Sequence, residues 1–62
     1  MPHIQVQQLA GRSSEQKREL ARELTDAYVR VTGIAPEKVW LTFHDVPAED
    51  WSIGGTLVAD RD

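Results

Sequence analysis

The chain has 62 residues, 40% of them hydrophobic, with no cysteine and a formal net charge of −3 from seven basic and ten acidic side chains. This length fits one domain over residues 1–62, and the missing cysteine excludes disulfides and thiolate metal sites. The interleaved, mildly acidic charge argues against a nucleic-acid binder, and no apolar run approaches a membrane span or a signal-peptide core. A soluble cytoplasmic protein is the expectation. The two histidines, His3 and His44, lack a zinc-binding spacing, so no metal site is expected. A domain this small buries a poor core. Oligomerisation is the remaining support once disulfides and metals are set aside.

Residues 2–9, PHIQVQQL, alternate: Ile4 and Val6 face one way, His3, Gln5 and Gln7 the other. That period of two predicts a strand with one apolar face. Pro2 suits its first position, where a missing N–H is tolerated. After the breaker Gly11, Ser13 is a good helix N-cap, and Gln16 stands three residues later, the spacing of a capping box. Leu20, Leu24, Ala27 and Val31 recur at helical spacing. Gly33 is a natural stop. The spacing predicts a helix over 14–32.

KVWLTFHDV, residues 38–46, predicts a second strand. Val39, Leu41 and Phe43 share one face, Trp40, Thr42 and His44 the other, and Pro47 closes it. The glycine pair Gly54-Gly55 then suits a tight hairpin or bulge. Strand, helix, strand with a crossover of this length is a β-α-β unit with parallel strands, so the class is α+β with a short C-terminal hairpin. One helix covers one sheet face. The uncovered face carries Trp40, and Trp51, Ile53 and Leu57 add apolar surface that calls for a neighbouring subunit.

Pro2 follows the initiator Met1, Gly11-Arg12-Ser13 precedes Glu15-Gln16-Lys17, and Ile53 precedes Gly54-Gly55. In this combination the whole chain resembles the tautomerase superfamily, in its small 4-oxalocrotonate tautomerase type. The resemblance implies a β-α-β protomer assembled as a homohexamer, a trimer of dimers. It also implies a catalytic N-terminal proline and no metal or cofactor. Removal of Met1, which aminopeptidases carry out readily before a small residue, turns Pro2 into a secondary amine at the chain end. An ordinary α-amine has a pKa near 8, and proline is more basic than that. An apolar wall and nearby cations disfavour its protonated form, so it becomes an effective base at cellular pH. With Met1 retained, Pro2 is an amide without basicity and only blunts a sheet edge.

The resemblance assigns Arg12 to a substrate carboxylate, which its planar guanidinium pairs with two bonds. Trp51 falls where the family places an aromatic wall beside the proline. Trp40 is the departure: the type enzyme has there a second arginine, supplied by a neighbouring subunit. An indole offers one N–H and no charge, so Trp40 either packs an interface or lines the pocket without replacing that cation. Backbone amides, the Trp40 N–H, His44 and Arg61 are alternative donors for a developing oxyanion. Asp45 could activate water. The expected function is enol–keto interconversion of small 2-oxo acids. The alternatives are a hydratase, dehalogenase or decarboxylase using a cationic Pro2, and a catalytically idle oligomeric subunit.

Overall fold

The computed structural model describes residues 1–61. β1 (His3–Leu9) and β2 (Trp40–Val46) pair in parallel, from His3 opposite Trp40 to Leu9 opposite Val46. Between them runs α1 (Ser14–Thr32). Parallel neighbours need such a crossover because a tight turn reverses the chain. Beyond β2 lies a small antiparallel hairpin, β3 (Ser52–Ile53) with β4 (Thr56–Leu57).

The ends of α1 follow from local chemistry. The Ser13 hydroxyl accepts from the Gln16 N–H at 3.1 Å, and the Gln16 side chain accepts from the Ser13 N–H at 3.1 Å. Two N–H groups without helical partners are thereby satisfied. At the other end Gly33 takes φ 76° and returns its N–H to the Val29 carbonyl at 2.8 Å. The hairpin turn needs positive φ at two successive residues, as in a type I′ turn, and Gly54 and Gly55 supply 62° and 90°.

β2 begins two residues later than the alternation alone predicts. Pro36 opens a 3-10 turn over Pro36–Lys38, whose Lys38 N–H bonds the Ala35 carbonyl, so Lys38 belongs to the turn and not to the strand. The helix also differs from its pattern. Leu24 and Ala27 are half-buried, but Leu20 is 37% and Val31 81% exposed. Lys17, Ala21, Thr25 and Val29 complete the half-buried set.

The two sheet faces are unequal. Pro2, Ile4, Val6, Leu41 and Phe43 share the half-buried face. On it Lys17 pairs with Asp45, which also accepts from the Gln8 amide at 3.0 Å. The other face, with His3, Gln5, Gln7, Trp40, Thr42 and His44, is exposed. Among the described residues none is fully buried. The accessible area, 4802 Å², exceeds the about 4,000 Å² of a compact monomer of this mass. The radius of gyration, 14.8 Å, exceeds the about 11 Å of a compact chain of this length. The isolated protomer therefore exposes what a neighbour would cover. No described helix is long and apolar enough to cross a membrane.

Candidate active site

The parallel register gives the sheet two chemically different ends. Pro2 stands directly before β1, half-buried, and its carbonyl accepts the Trp40 N–H at 2.9 Å. That bond ties the head of β1 to the head of β2 and places Pro2 beside Trp40. The indole of Trp40 projects onto the open face and is 53% exposed. His3 stacks edge-on against it, with ring centroids 6.2 Å apart and planes at 70°. Such edge-to-face contacts hold aromatic rings in defined orientations.

A hydrogen-bonded row continues from this contact. The Thr42 hydroxyl oxygen lies 3.0 Å from His3 Nε2 and 3.0 Å from His44 Nε2. The three side chains meet because His3 pairs with Trp40, so Thr42 is its diagonal neighbour, and His44 is the next residue on the same face. His44 therefore belongs to the open face, as the alternation predicts. Asp45 does not. It points to the helix side, where the Lys17 ammonium first, and then the Gln8 amide, hold its carboxyl below the usual carboxylate range. Its role is to tie α1 to β2.

Arg12 and Trp51 occupy the opposite end. The ladder closes with the Ala10 N–H on the Val46 carbonyl at 2.9 Å, and Arg12 lies in the loop between that bond and the Ser13 cap. Arg12 is exposed and makes no ion pair among the described residues. Trp51 follows the 3-10 turn Ala48–Asp50, and its carbonyl accepts the Val58 N–H at 2.7 Å. With Gln7, Val46, Asp50 and Ser52 it lines an open cleft of 270 Å³. Arg61 lies on the same C-terminal arm, its N–H bonded to the Val58 carbonyl.

Of the four residues expected at the site, the chain thus brings together Pro2 with Trp40, whereas Arg12 and Trp51 lie on separate loops after the ends of β1 and β2, and Arg12 is not among the residues that line the Trp51 cleft. Six strand steps at about 3.3 Å put roughly 20 Å between the two ends. No side chain spans that distance. Among the described residues no three of His, Cys, Asp or Glu gather where a metal ion would sit. Sequence reasoning missed the contacts of His3 with Trp40 and Thr42. Alternation places all three on one face, but only the register makes them neighbours. It also missed Gln7, Asp50 and Ser52 in the cleft, for which the sequence carries no signal.

Comparison with known proteins bears directly on this arrangement. A family model described as "Tautomerase enzyme" matches residues 2–61. The chain is 42% identical over 55 residues to a 2-hydroxymuconate tautomerase of Comamonas testosteroni, covering 89% of this chain and 87% of that one. A crystal structure of a 4-oxalocrotonate tautomerase homologue superposes with a TM-score of 0.93 at 37% identity, covering 100% of this chain and 98% of that one. A heterohexamer 4-oxalocrotonate tautomerase from Chloroflexus aurantiacus has a chain that superposes with a TM-score of 0.89 at 37% identity over 97% of each chain. The β-α-β frame with its C-terminal hairpin, the family match over almost the whole length and the named relatives agree, and the chain belongs to the tautomerase family, as an isomerase of the 4-oxalocrotonate tautomerase type.

Proposed function

We propose that Pro2, exposed as a secondary amine by removal of Met1, is the general base of a cofactor-independent tautomerase that interconverts enol and keto forms of small 2-oxo acids. The observation that carries this reading is the placement of Pro2. It sits at the head of β1, half-buried and held by the Trp40 N–H, directly after Met1, whose removal would free its nitrogen. A base so held loses little freedom when it meets its substrate.

The active site is assembled between protomers. One copy contributes its Pro2 end, and a neighbour contributes the end that carries Arg12 and Trp51. Arg12 takes the substrate carboxylate by two parallel bonds. Trp51 walls the amine from water, which favours its neutral, basic form. Trp40 of a neighbouring protomer lines the pocket across a subunit boundary. The absence of a buried core among the described residues of the single protomer supports the assembly, and so does the heterohexameric state of the Chloroflexus relative. For this chain the reading is a cytoplasmic homohexamer, a trimer of dimers.

The test is ketonisation of 2-hydroxymuconate by protein whose mass shows Met1 removed, beside a Pro2→Ala variant. A general base contributes about 10²- to 10⁴-fold, so the variant is expected to lose at least about 10²-fold in kcat. Equal rates in the two proteins would end the proline reading.

A further inference from the structure

Removing a proton next to a carbonyl leaves charge on its oxygen. Preorganised donors aimed at that oxygen are commonly the largest electrostatic contribution to such reactions. The end of the sheet that carries Pro2 offers few donors among the described residues. Lys38 is exposed on its one-turn 3-10 segment and makes no ion pair. The Thr42 hydroxyl is engaged between two rings. The Trp40 indole is half-exposed, and its N–H has no polar partner among the described residues. His3 differs from all of these. It follows Pro2 in the chain, its ring is oriented by the Trp40 edge, and its Nε2 is held by Thr42, which leaves Nδ1 without a protein partner among the described residues.

We propose that His3, fixed by the row Thr42–His44, is the neutral hydrogen-bond donor for the oxyanion that develops when Pro2 takes its proton. The proposal rests on the proline reading above and names a further catalytic residue for it. A threonine hydroxyl has one proton to give and two lone pairs to accept with. With both imidazoles neutral, a row that uses the Thr42 proton has one Nε2 donating to Thr42 and the other accepting from it. When His44 Nε2–H donates to Thr42 and the Thr42 O–H donates to His3 Nε2, the remaining His3 proton sits on Nδ1. That N–H is the donor the oxyanion needs. The inverse polarity would present a lone pair instead, and the developing negative charge selects the first. The two tautomeric arrangements interconvert through water because both histidines are exposed. A neutral imidazole is a competent electrophile for an enolate oxygen. Pro2 carries the proton between oxygen and carbon, His3 breaks no bond, and the step balances without a further reactant.

Thr42 and His44 are positioning residues, and their effect on the rate should pass through His3. The experiment measures kcat, KM and the pH profile of Pro2-dependent turnover on 2-hydroxymuconate for a set of variants, each confirmed to have the oligomeric mass of the parent. Loss of one oxyanion donor lowers kcat by about 10²- to 10³-fold, so His3→Leu is expected to fall by about 10²-fold with KM changed little. Thr42→Val should lose a smaller share of kcat, and Thr42→Ser, which keeps the hydroxyl, should restore it. In the His3→Leu background Thr42→Val should have no further effect. Proline-dependent turnover that is unchanged by His3→Leu would overturn this inference alone. So would a loss that follows Lys38→Met or Trp40→Phe in place of His3→Leu. Absence of any proline-dependent turnover in the parent protein would overturn the proline reading and this inference with it.

Discussion

The two ends of the β1–β2 sheet make opposite offers. At the head, Pro2, His3 and Trp40 are held by backbone and aromatic contacts, and the Thr42 hydroxyl carries the row along the open face to His44, opposite Gln7; none of these side chains carries a permanent charge. At the tail, Arg12 is a loop cation without an ion pair among the described residues, and Trp51 stands over a cleft with Gln7, Asp50 and Ser52. The head carries Lys38 on the turn before β2, a point charge without the planar fork that pairs both oxygens of a carboxylate. The tail has the forked cation and the apolar wall but no base. Parallel pairing forces the division, because it puts both strand starts at one end and both strand finishes at the other. On the proposed reading, a symmetric interface that sets head against tail would complete a site for each copy.

The strongest way to break this comparison is to divide the lesions between chains. A protein in which every copy carries Pro2→Ala, or every copy Arg12→Ala, has no complete site. Co-assembled in equal amounts, the two variants should regain roughly a quarter of the sites by random assortment, if each site draws on two protomers. Activity of the reassembled mixture no greater than the sum of the separate variants would mean that the ends do not cooperate across an interface. Next in size is Arg12→Lys, which keeps the charge and loses the planar fork. At about 1.5–3 kcal/mol per charged hydrogen bond, kcat/KM should fall about 10- to 100-fold, mainly through KM. A fall confined to kcat would move Arg12 from holding substrate to the chemical step.

Trp51→Ala sharpens the comparison through pH. Opening the wall readmits water and stabilises the protonated amine, so the proline pKa rises. The rising limb of kcat/KM against pH should then move to higher pH, and an unmoved limb would show that Trp51 packs without touching the base. The smallest effect belongs to the helix side of the sheet. Asp45 has a depressed folded pKa, so its contribution is fully present above the unfolded value of about 3.9 and is lost as pH falls through the lower folded value. Asp45→Asn should flatten that acid limb of stability, followed by circular dichroism, and leave kcat at pH 7 unchanged. A changed kcat would return Asp45 to the catalytic candidates.

Much of the frame was legible in the residues. Ser13 with Gln16 and the stop at Gly33 mark α1 at the residues where it begins and ends, because caps act over three or four positions. The alternation of Ile4, Val6, Leu41 and Phe43 names the covered face. Less legible was the start of β2, which the turn at Pro36 delays. Leu20 and Val31 repeat with Leu24 at helical spacing, yet both are exposed in the protomer. Spacing reports that a helix has an apolar stripe, not which part of the stripe meets its own sheet.

By itself the sequence determined the order of elements, the helix ends, the residue types able to act as base, anion holder and wall, and the family. The tertiary structure alone decided who stands beside whom. The His3–Trp40 register brings a threonine between two histidines, turns Asp45 toward Lys17, and holds Pro2 roughly 20 Å from the end that carries Arg12 and Trp51. Periodicity and caps are properties of neighbours along the chain. Register is set by contacts between segments more than thirty residues apart, and a shift of one residue would turn each of these side chains to the other face.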